Sequence, residues 1–328
     1  MSGKHKHLYK IFLAGLLAIF LLVGYHDTKA WADEDDGYYI RVNVGMNCIT
    51  IYGKDNLNQY TILVKAMVCS ANVSSVDGSV VYVIKGKEEW KQTTDGTFVH
   101  WASNLDGVTA LCSTPYSAQD SGTLLTDKFN GLGTEYSPEN IWLNSSDAKW
   151  IYDNCKEGTI VEIYSDTSAS GALGKPSTIK IPADSTMASW DPTDEAEENP
   201  WKTTGARIEG AKNIDVYEGS EVDLLKGIKV YDTCGNDMTD KLLIMGEYDL
   251  SREGTYTITY YYMDAIGSQA SESVNLTVKP KPQTVVSQTS SETNTSEKSN
   301  GQKIKIIILL GVLSLAGAIG LIRKSKQD

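Results

Sequence analysis

Positive charge is scarce in this sequence, which carries 30 Lys and Arg against 42 Asp and Glu, for a net charge of −12. Much of the basic charge lies at the two ends of the chain, so the middle is more acidic still. This balance excludes nucleic acid as a partner, because neutralising phosphates requires clustered Lys and Arg. Phenylalanine is also rare, with four residues, whereas 18 Tyr and 28 Gly favour strands and turns over helical bundles.

The cysteines lack the CxxC spacing that is typical of metal sites. They are Cys48, Cys69, Cys112, Cys155 and Cys234. Zinc centres usually take closely spaced pairs of ligands, so we expect neither a metal nor another cofactor. Some of these thiols could pair outside the cell, but an odd number leaves at least one of them unpaired within the chain.

The first 32 residues are typical of a secretory signal peptide. Lys4, Lys6 and Lys10 give a basic start, an apolar run follows over residues 11–23, and Ala30-Trp31-Ala32 offers a small-x-small cleavage site. The alternative is an uncleaved anchor, although the apolar run is short for a membrane span.

A second apolar run, residues 306–322, lies near the other end and has basic residues on both sides. We predict a transmembrane helix over 304–322 and a cytoplasmic tail over 323–328. The basic residues that follow the run favour the inner side of the membrane. No Leu-Pro-x-Thr-Gly motif precedes the run, so retention in the membrane is expected rather than covalent attachment to the cell wall. The sequence therefore predicts a single-pass protein with its domains on the cell surface.

Two polar segments divide the exported part of the chain. Residues 184–206 are acidic and show no apolar periodicity, which predicts a linker. Residues 280–303 are rich in Pro, Ser, Thr, Gln and Asn and predict a flexible stalk. Between them, residues 207–279 contain apolar positions with period two, as in a small antiparallel β-sandwich.

The larger domain, residues 37–183, is predicted to be mainly β with one packed helix. Ser145, Ser146 and Asp147 supply capping oxygens and a first-turn acid, and Gly158 supplies a stop. The helix has an apolar stripe at Ala148, Ile151, Tyr152 and Cys155, which predicts one buried face.

The smaller domain resembles the Ig-like domains of bacterial surface proteins. The resemblance rests on YEGS at residues 217–220, GTYT at 254–257 and the stretch between them. It implies a role in spacing or adhesion. Asp232, Asp237 and Asp240 could coordinate calcium, but an exposed acidic turn is the favoured interpretation.

Four segments of the larger domain resemble the catalytic domain of bacterial L,D-transpeptidases. These segments are NCITIYGKD at 47–55, VKAMVC at 64–69, DAKWIYDNCKEGT at 147–159 and LGKPSTIKI at 173–181. Such enzymes cross-link peptidoglycan stem peptides through an acyl-cysteine, with a histidine that moves protons and backbone N–H groups that hold the oxyanion. The resemblance implies a β-sandwich with one packed helix and peptidoglycan or its stem peptides as partner. For Cys48 and Cys155 it implies packing or a bridge rather than catalysis.

The active-site motif of that family, Ser/His-x-Gly-Cys-x-Arg, is degenerate here. The matching stretch reads SPENIW at 137–142, in which Pro138 occupies the variable position after the serine. Asn140 stands at the cysteine position, Glu139 at the glycine and Trp142 at the arginine. An amide nitrogen cannot replace a thiolate because its lone pair is delocalised, and losing a nucleophile lowers the rate by on the order of 10⁶. The resemblance thus implies an inactive domain, in which Trp142 is a candidate for contact with a ligand.

The upstream histidine of the family is replaced as well. Its usual Phe-His-Ser-x-Pro-Tyr-like strand reads LCSTPY at 111–116, so Cys112 occupies the histidine position. The histidine that follows the leader is His100. One alternative is a relocated active site with Cys112 as nucleophile and His100 as base. Against it, Cys112 fits a small buried strand residue, and His100, beside Trp101, fits a packed strand histidine.

Three functions follow from these patterns. The favoured one is a membrane-anchored surface protein with an inactive L,D-transpeptidase-like domain that binds or scaffolds at peptidoglycan. The alternatives are a cysteine acyltransferase with a relocated site and a purely structural or adhesive surface protein.

Overall fold

The computed structural model describes residues 37–71, 78–105 and 109–282. The predicted signal peptide, transmembrane helix and cytoplasmic tail, and nearly all of the predicted stalk, lie outside these ranges. Within them, no helix is both long enough and apolar enough to cross a bilayer.

The described part of the larger domain is mainly β, as predicted. Its strands are β1 (Tyr39–Asn43), β2 (Cys48–Lys54), β3 (Tyr60–Val68), β4 (Ser79–Val83), β5 (Gly86–Gln92), β6 (Phe98–Asn104), β7 (Ala110–Ser113), β8 (Ile141–Leu143) and β9 (Ile160–Tyr164), and its α-helices are α1 (Thr126–Asn130) and α2 (Ser145–Asn154). A 3-10 turn lies at Ser121–Thr123.

The strands form two sheets. One has the order β3-β2-β1-β9-β4, in which β1 and β9 are parallel, and the other has the order β5-β6-β7-β8, in which β7 and β8 are parallel. In β1, Ile40 and Val42 are fully buried while Arg41 is half-buried, because successive side chains of a strand point to opposite faces. Ile40 shares one apolar cluster with Leu143 of the second sheet, so the inner faces of the two sheets form a common core.

Helix α2 confirms the predicted helix and its buried stripe. Ala148 and Ile151 are fully buried and belong to the same core as the two sheets. The cap lies one residue earlier than the sequence suggested, since the Asn144 side chain accepts a hydrogen bond from the backbone N–H of Asp147 (2.8 Å). After the helix, Gly158 has a φ of 87°, a conformation that a glycine adopts without strain.

The smaller domain is built from six described strands. They are β10 (Arg207–Glu209), β11 (Ile214–Tyr217), β12 (Lys229–Tyr231), β13 (Leu243–Met245), β14 (Gly254–Met263) and β15 (Gln269–Lys279), with a 3-10 turn at Thr239–Lys241. Strands β11-β15-β14-β13 form one sheet and β10-β12 form another. Ile258 and Leu276 are fully buried in the core, in agreement with the period-two pattern. A turn joins β14 to β15, and the Asp264 side chain accepts hydrogen bonds from the backbone N–H groups of Ile266 and Ser268.

The segment predicted as a linker, residues 184–206, is folded and packed; we call it the strap. Asp191, Asn199 and Trp201 are buried within it, and a 3-10 turn covers Pro200–Thr203. The indole of Trp201 donates a hydrogen bond to the Trp190 carbonyl (3.1 Å) and packs in a cluster that also contains Cys234 of the smaller domain. The strap lacks apolar periodicity because buried polar hydrogen bonds, rather than an apolar stripe, hold it in place.

The burial of α2 leads to a stability prediction. Ile151→Ala removes a fully buried side chain from the core shared by both sheets, so the free energy of unfolding should fall by about 2–5 kcal/mol. The control is Leu57→Ala, because Leu57 is 76% exposed. It should change that free energy by less than about 0.5 kcal/mol. Urea unfolding followed by circular dichroism measures both values, and equal values for the two variants would contradict the packing.

Candidate functional site

Asn140, which the resemblance aligns with the motif cysteine, is buried in the larger domain. The residue is 2% exposed, and its side-chain oxygen accepts a hydrogen bond from the backbone N–H of Ala110 (3.0 Å). The backbone carbonyl of Asn140 accepts a hydrogen bond from the Ser137 hydroxyl. The amide thereby ties the start of β7 to the turn that leads into β8. In this position the side chain supplies a buried hydrogen bond, and it offers no ionisable group for acyl transfer.

The two residues before Asn140 form the outer side of this turn. Pro138 is exposed and Glu139 is half-buried. The Glu139 carboxylate accepts hydrogen bonds from the hydroxyl (2.7 Å) and backbone N–H (3.3 Å) of Thr94, which lies in the turn between β5 and β6. The Glu139 carboxylate thus joins this turn to the turn between β5 and β6.

The indole of Trp142, the candidate for contact with a ligand, is buried. It is 7% exposed and packs in a cluster that includes Val68 and Leu132. Strand β7 lies on one side of it, and on the other its backbone exchanges two hydrogen bonds with Ser70, both 2.9 Å long. The alignment with the motif could not reveal this burial, because Ser70 is distant in sequence.

Cys112 and His100 occupy different environments in the structure. Cys112 is fully buried in an apolar cluster with Val99 and Ala102, and burial raises the pKa of its thiol well above the ordinary value. The ring nitrogens of His100 instead lie nearest to carboxylates: Nδ1 is 3.8 Å from Asp194 and Nε2 is 3.9 Å from Glu89. This arrangement does not provide the thiol–imidazole pair that a relocated site needs.

All five cysteines are buried free thiols in the structure. Burial raises the pKa of Cys48 to about 11, and those of Cys155 and Cys234 to about 12. For Cys69 burial raises the pKa further. Because the thiolate is the nucleophilic form, these environments suppress thiol chemistry at neutral pH.

A second feature is a groove of about 750 Å³, which we call the aromatic cleft. It lies between β5, β6, the start of α2 and the strap. His100 is stacked between Trp90 and Trp101, with ring centroids 4.0 and 4.1 Å apart and interplanar angles of 10° and 21°. Trp190 of the strap also lines the cleft. None of the residues 137–142 is among those that line it, so the cleft is distinct from the degenerate motif.

The backbone at Trp101 makes this stacking possible. Consecutive residues of a strand normally point to opposite faces, so their rings cannot stack. Trp101 has a φ of 55°, in the left-handed region that bulky residues rarely adopt, and this turns its ring onto the neighbouring imidazole. Such strain costs about 1–3 kcal/mol and is concentrated at functional sites.

Two carboxylates of the strap anchor it to the start of α2. Asp191 is fully buried and accepts a hydrogen bond from the backbone N–H of Ser145 (2.7 Å), and Asp194 accepts one from the Ser145 hydroxyl (3.0 Å). Negative charge is favoured there because the helix N-terminus carries a partial positive charge.

The two carboxylates have opposite pKa shifts. Burial raises the pKa of Asp191 to about 6, although its hydrogen bonds oppose the shift. Burial also acts on Asp194, but the nearby imidazole of His100 and hydrogen bonds from the Ala196 N–H and the Ser145 hydroxyl outweigh it and lower the pKa.

Metal ligation has no support in the described residues, where no three His, Cys, Asp or Glu side chains are grouped suitably. The three aspartates considered for calcium have other partners. Asp232 accepts hydrogen bonds from Asn236, Asp237 from Lys229 and Thr239, and Asp240 pairs with Lys241. They form an acidic turn at the surface of the smaller domain.

Comparison with known proteins identifies the smaller domain. Residues 206–278 match the family model described as "Bacterial surface protein, Ig-like domain", which confirms the Ig-like domain predicted over 207–279. Among curated proteins, none matches the sequence significantly.

Several solved structures are similar to part of the chain. An L,D-transpeptidase from Stackebrandtia nassauensis is 13% identical with a TM-score of 0.30, over 44% of this chain and 63% of that chain. One from Mycobacterium smegmatis is 14% identical with a TM-score of 0.31, over 40% and 59%. A fused Zn-dependent amidase/peptidase/peptidoglycan-binding domain-containing protein from Clostridium acetobutylicum is 17% identical with a TM-score of 0.28, over 39% and 51%. In each case this chain spans less than two thirds of the solved chain.

The raised pKa of Asp191 predicts a pH-dependent effect of Asp191→Asn. A carboxyl whose folded pKa is raised stabilises the fold fully below its unfolded pKa of 3.8, and this contribution is lost as the pH rises through about 6. The stability of the wild type relative to the variant should therefore fall by on the order of 3 kcal/mol between pH 4 and pH 7. Urea unfolding at both pH values measures this difference, and a value independent of pH would show that Asp191 titrates normally.

Buried thiols should react slowly. With the pKa of Cys48 raised from 9 to about 11, its thiolate population at pH 8 falls about 100-fold, and the other thiols are shifted at least as far. We expect the native chain to react with a disulfide reagent at least about 100-fold more slowly than the chain unfolded in guanidinium. Peptide mapping assigns each labelled site. Rapid labelling of Cys112 in the native state would instead favour the relocated active site.

Proposed function

We propose that this protein is a membrane-anchored protein of the bacterial cell surface whose L,D-transpeptidase-like domain binds or scaffolds at peptidoglycan without catalysing acyl transfer. The observation that carries the proposal is the position of Asn140. Where the family has its nucleophile, this chain has a buried amide that accepts a hydrogen bond from the backbone of Ala110.

The surroundings of Asn140 support the loss of catalysis. Acyl transfer through cysteine requires an accessible thiolate, an adjacent base and donors for the oxyanion. At the corresponding positions this chain has the Glu139 carboxylate, the buried indole of Trp142 and the buried thiol of Cys112. Several parts of the machinery are therefore replaced at once, which is harder to tolerate in an enzyme than a single substitution.

The surface location is supported by the rest of the chain. The segment 206–278 matches a domain model of bacterial surface proteins. The sequence places a predicted signal peptide before the described domains, and a predicted stalk and transmembrane helix after them. In this arrangement the Ig-like domain would act as a spacer that holds the larger domain away from the membrane.

A purely structural or adhesive protein is the second candidate. The Ig-like domain favours it, since the resemblance implies spacing or adhesion. The two candidates differ in one property: a scaffold at peptidoglycan must bind wall material, whereas a structural protein need not.

The first test measures acyl transfer. The full chain in detergent, incubated with a stem peptide and a D-amino acid, should give no exchange product above the background of the reaction without protein. Cys112→Ser should behave identically, because Cys112 is fully buried and burial raises the pKa of its thiol well above the ordinary value. Turnover by the wild type that is abolished in Cys112→Ser would establish the relocated site, and an acylated thiol found by mass spectrometry would have the same meaning.

The second test measures binding to the cell wall. The full chain should co-sediment with purified peptidoglycan, and soluble stem peptide should compete if the peptide part is recognised. Asn140→Asp is the matched variant, since it keeps the shape and the acceptor oxygen but adds a buried charge, and it should weaken folding and binding together. Absence of co-sedimentation would favour the structural or adhesive role.

A further inference from the structure

We propose that the aromatic cleft is a binding site for an organic ammonium group, carried either by a small amine or by a lysine side chain. The inference goes beyond the proposed function, because the cleft is separate from the degenerate motif and would bind its ligand whether or not the larger domain binds peptidoglycan.

The first argument is the chemistry of His100. The residue is 5% exposed, it lines the cleft, and neither ring nitrogen has a hydrogen-bond partner among the described residues. Buried polar atoms of this kind are rare in folded proteins. An ammonium group has three N–H donors and no acceptor, so it can donate at once to an unprotonated imidazole nitrogen and to a nearby carboxylate. The carboxylates of Asp194 and Glu89 lie 3.8 and 3.9 Å from the two nitrogens.

The second argument is the charge of the cleft walls. They carry five carboxylates and one lysine, Lys149. The carboxylates belong to Glu89, Asp120, Asp194, Glu195 and Glu198. An excess of negative charge around a partly enclosed groove attracts cations and repels anions. This excess disfavours a carboxylate or phosphate ligand.

The third argument is the aromatic lining. Indole faces attract cations, and the effect grows when the cation is withdrawn from water. Lys149 shows this within the chain, since its Nζ lies 4.8 Å from the centroid of Trp101. The pKa of Lys149 is raised, first by its hydrogen bond to Asp153 and also by the charges of Glu195 and Asp194. The cleft therefore already favours a positively charged amine at its edge.

A sugar ring is the main competing ligand, because tryptophans and carboxylates also bind carbohydrates. Sugars usually require an open aromatic face for stacking. Here one face of Trp90 and one face of Trp101 are covered by the imidazole of His100. The covered faces limit stacking of any ligand, and the net negative charge of the walls favours the ammonium ligand over an uncharged sugar.

The test uses the full chain in detergent, with calorimetry and tryptophan fluorescence as readouts. The probes are 1,5-diaminopentane, as a free amine, and acetyl-Ala-Lys-Ala-amide, as a peptide-borne amine. Their uncharged counterparts are 1,5-pentanediol and the same peptide with acetylated lysine. We expect at least one amine to bind and change the fluorescence, and both neutral counterparts to bind at least about 10-fold more weakly. The amine that binds more tightly identifies the source of the ammonium group.

Variants locate the site. The triple variant E89Q/E195Q/E198Q removes three carboxylates of the cleft and should weaken binding of the amine at least about 10-fold. The matched control E221Q/E247Q/E272Q changes net charge equally, at exposed glutamates of the Ig-like domain, and should change binding less than about 2-fold. Lys149→Met removes the competing cation and should tighten binding, whereas an anion site would lose affinity. Thermal melting checks that every variant remains folded.

Three results would overturn the proposal. The first is no binding of either amine up to about 10 mM, which corresponds to an affinity too weak to define a site. The second is an equal loss in the two triple variants, which would indicate non-specific attraction to an acidic protein. The third is binding of the neutral counterparts, or of a chitin oligosaccharide, as tightly as the amines, which would identify a site for uncharged ligands.

Discussion

The structure of the larger domain depends on the N-terminus of helix α2. The first N–H groups of a helix need partners, and here those of Ser145, Ser146 and Asp147 donate to the side chains of Asp191, Thr193 and Asn144, respectively. Both features of functional interest are joined to this point. Strand β8, which follows Asn140, leads directly into the helix, and the strap that is anchored there brings Trp190 and Asp194 into the aromatic cleft. Loss of the anchor would therefore disturb the cleft and strand β8 together.

Under the proposed function, Asn140 occupies the position of a catalytic cysteine and serves the fold instead. A reactive thiol must be accessible, so a catalytic cysteine side chain contributes little to packing. The amide of Asn140 instead bonds to the backbone of Ala110, and Trp142 fills the cluster beside it. Hydrogen bonds to buried backbone groups stabilise a fold by about 1 kcal/mol each.

The sequence predicted the regular elements because their signals are local. Apolar positions with period two marked the strands of the smaller domain, and the spacing of Ala148 and Ile151 marked the helix. The prediction failed where burial depends on a distant partner. Residues 184–206 showed no periodicity and were interpreted as a linker, although Asp191 is buried through its bond to Ser145. The sequence did not predict the cleft for the same reason, since its tryptophans lie far apart in sequence. In addition, a positive φ at Trp101 leaves no recognisable sequence pattern.

The opposite pKa shifts of Asp191 and Asp194 separate the stability of the strap from the charge of the cleft. As the pH falls through about 6, Asp191 takes up a proton, and the penalty for burying its charge disappears. Asp194, whose pKa is lowered, remains ionised in the same range and keeps its negative charge beside His100. Mild acid therefore stabilises the anchor without neutralising this wall of the cleft. Two carboxylates three residues apart can differ in this way because one is fully enclosed at the helix end while the other accepts charge-stabilising hydrogen bonds at the edge of the groove.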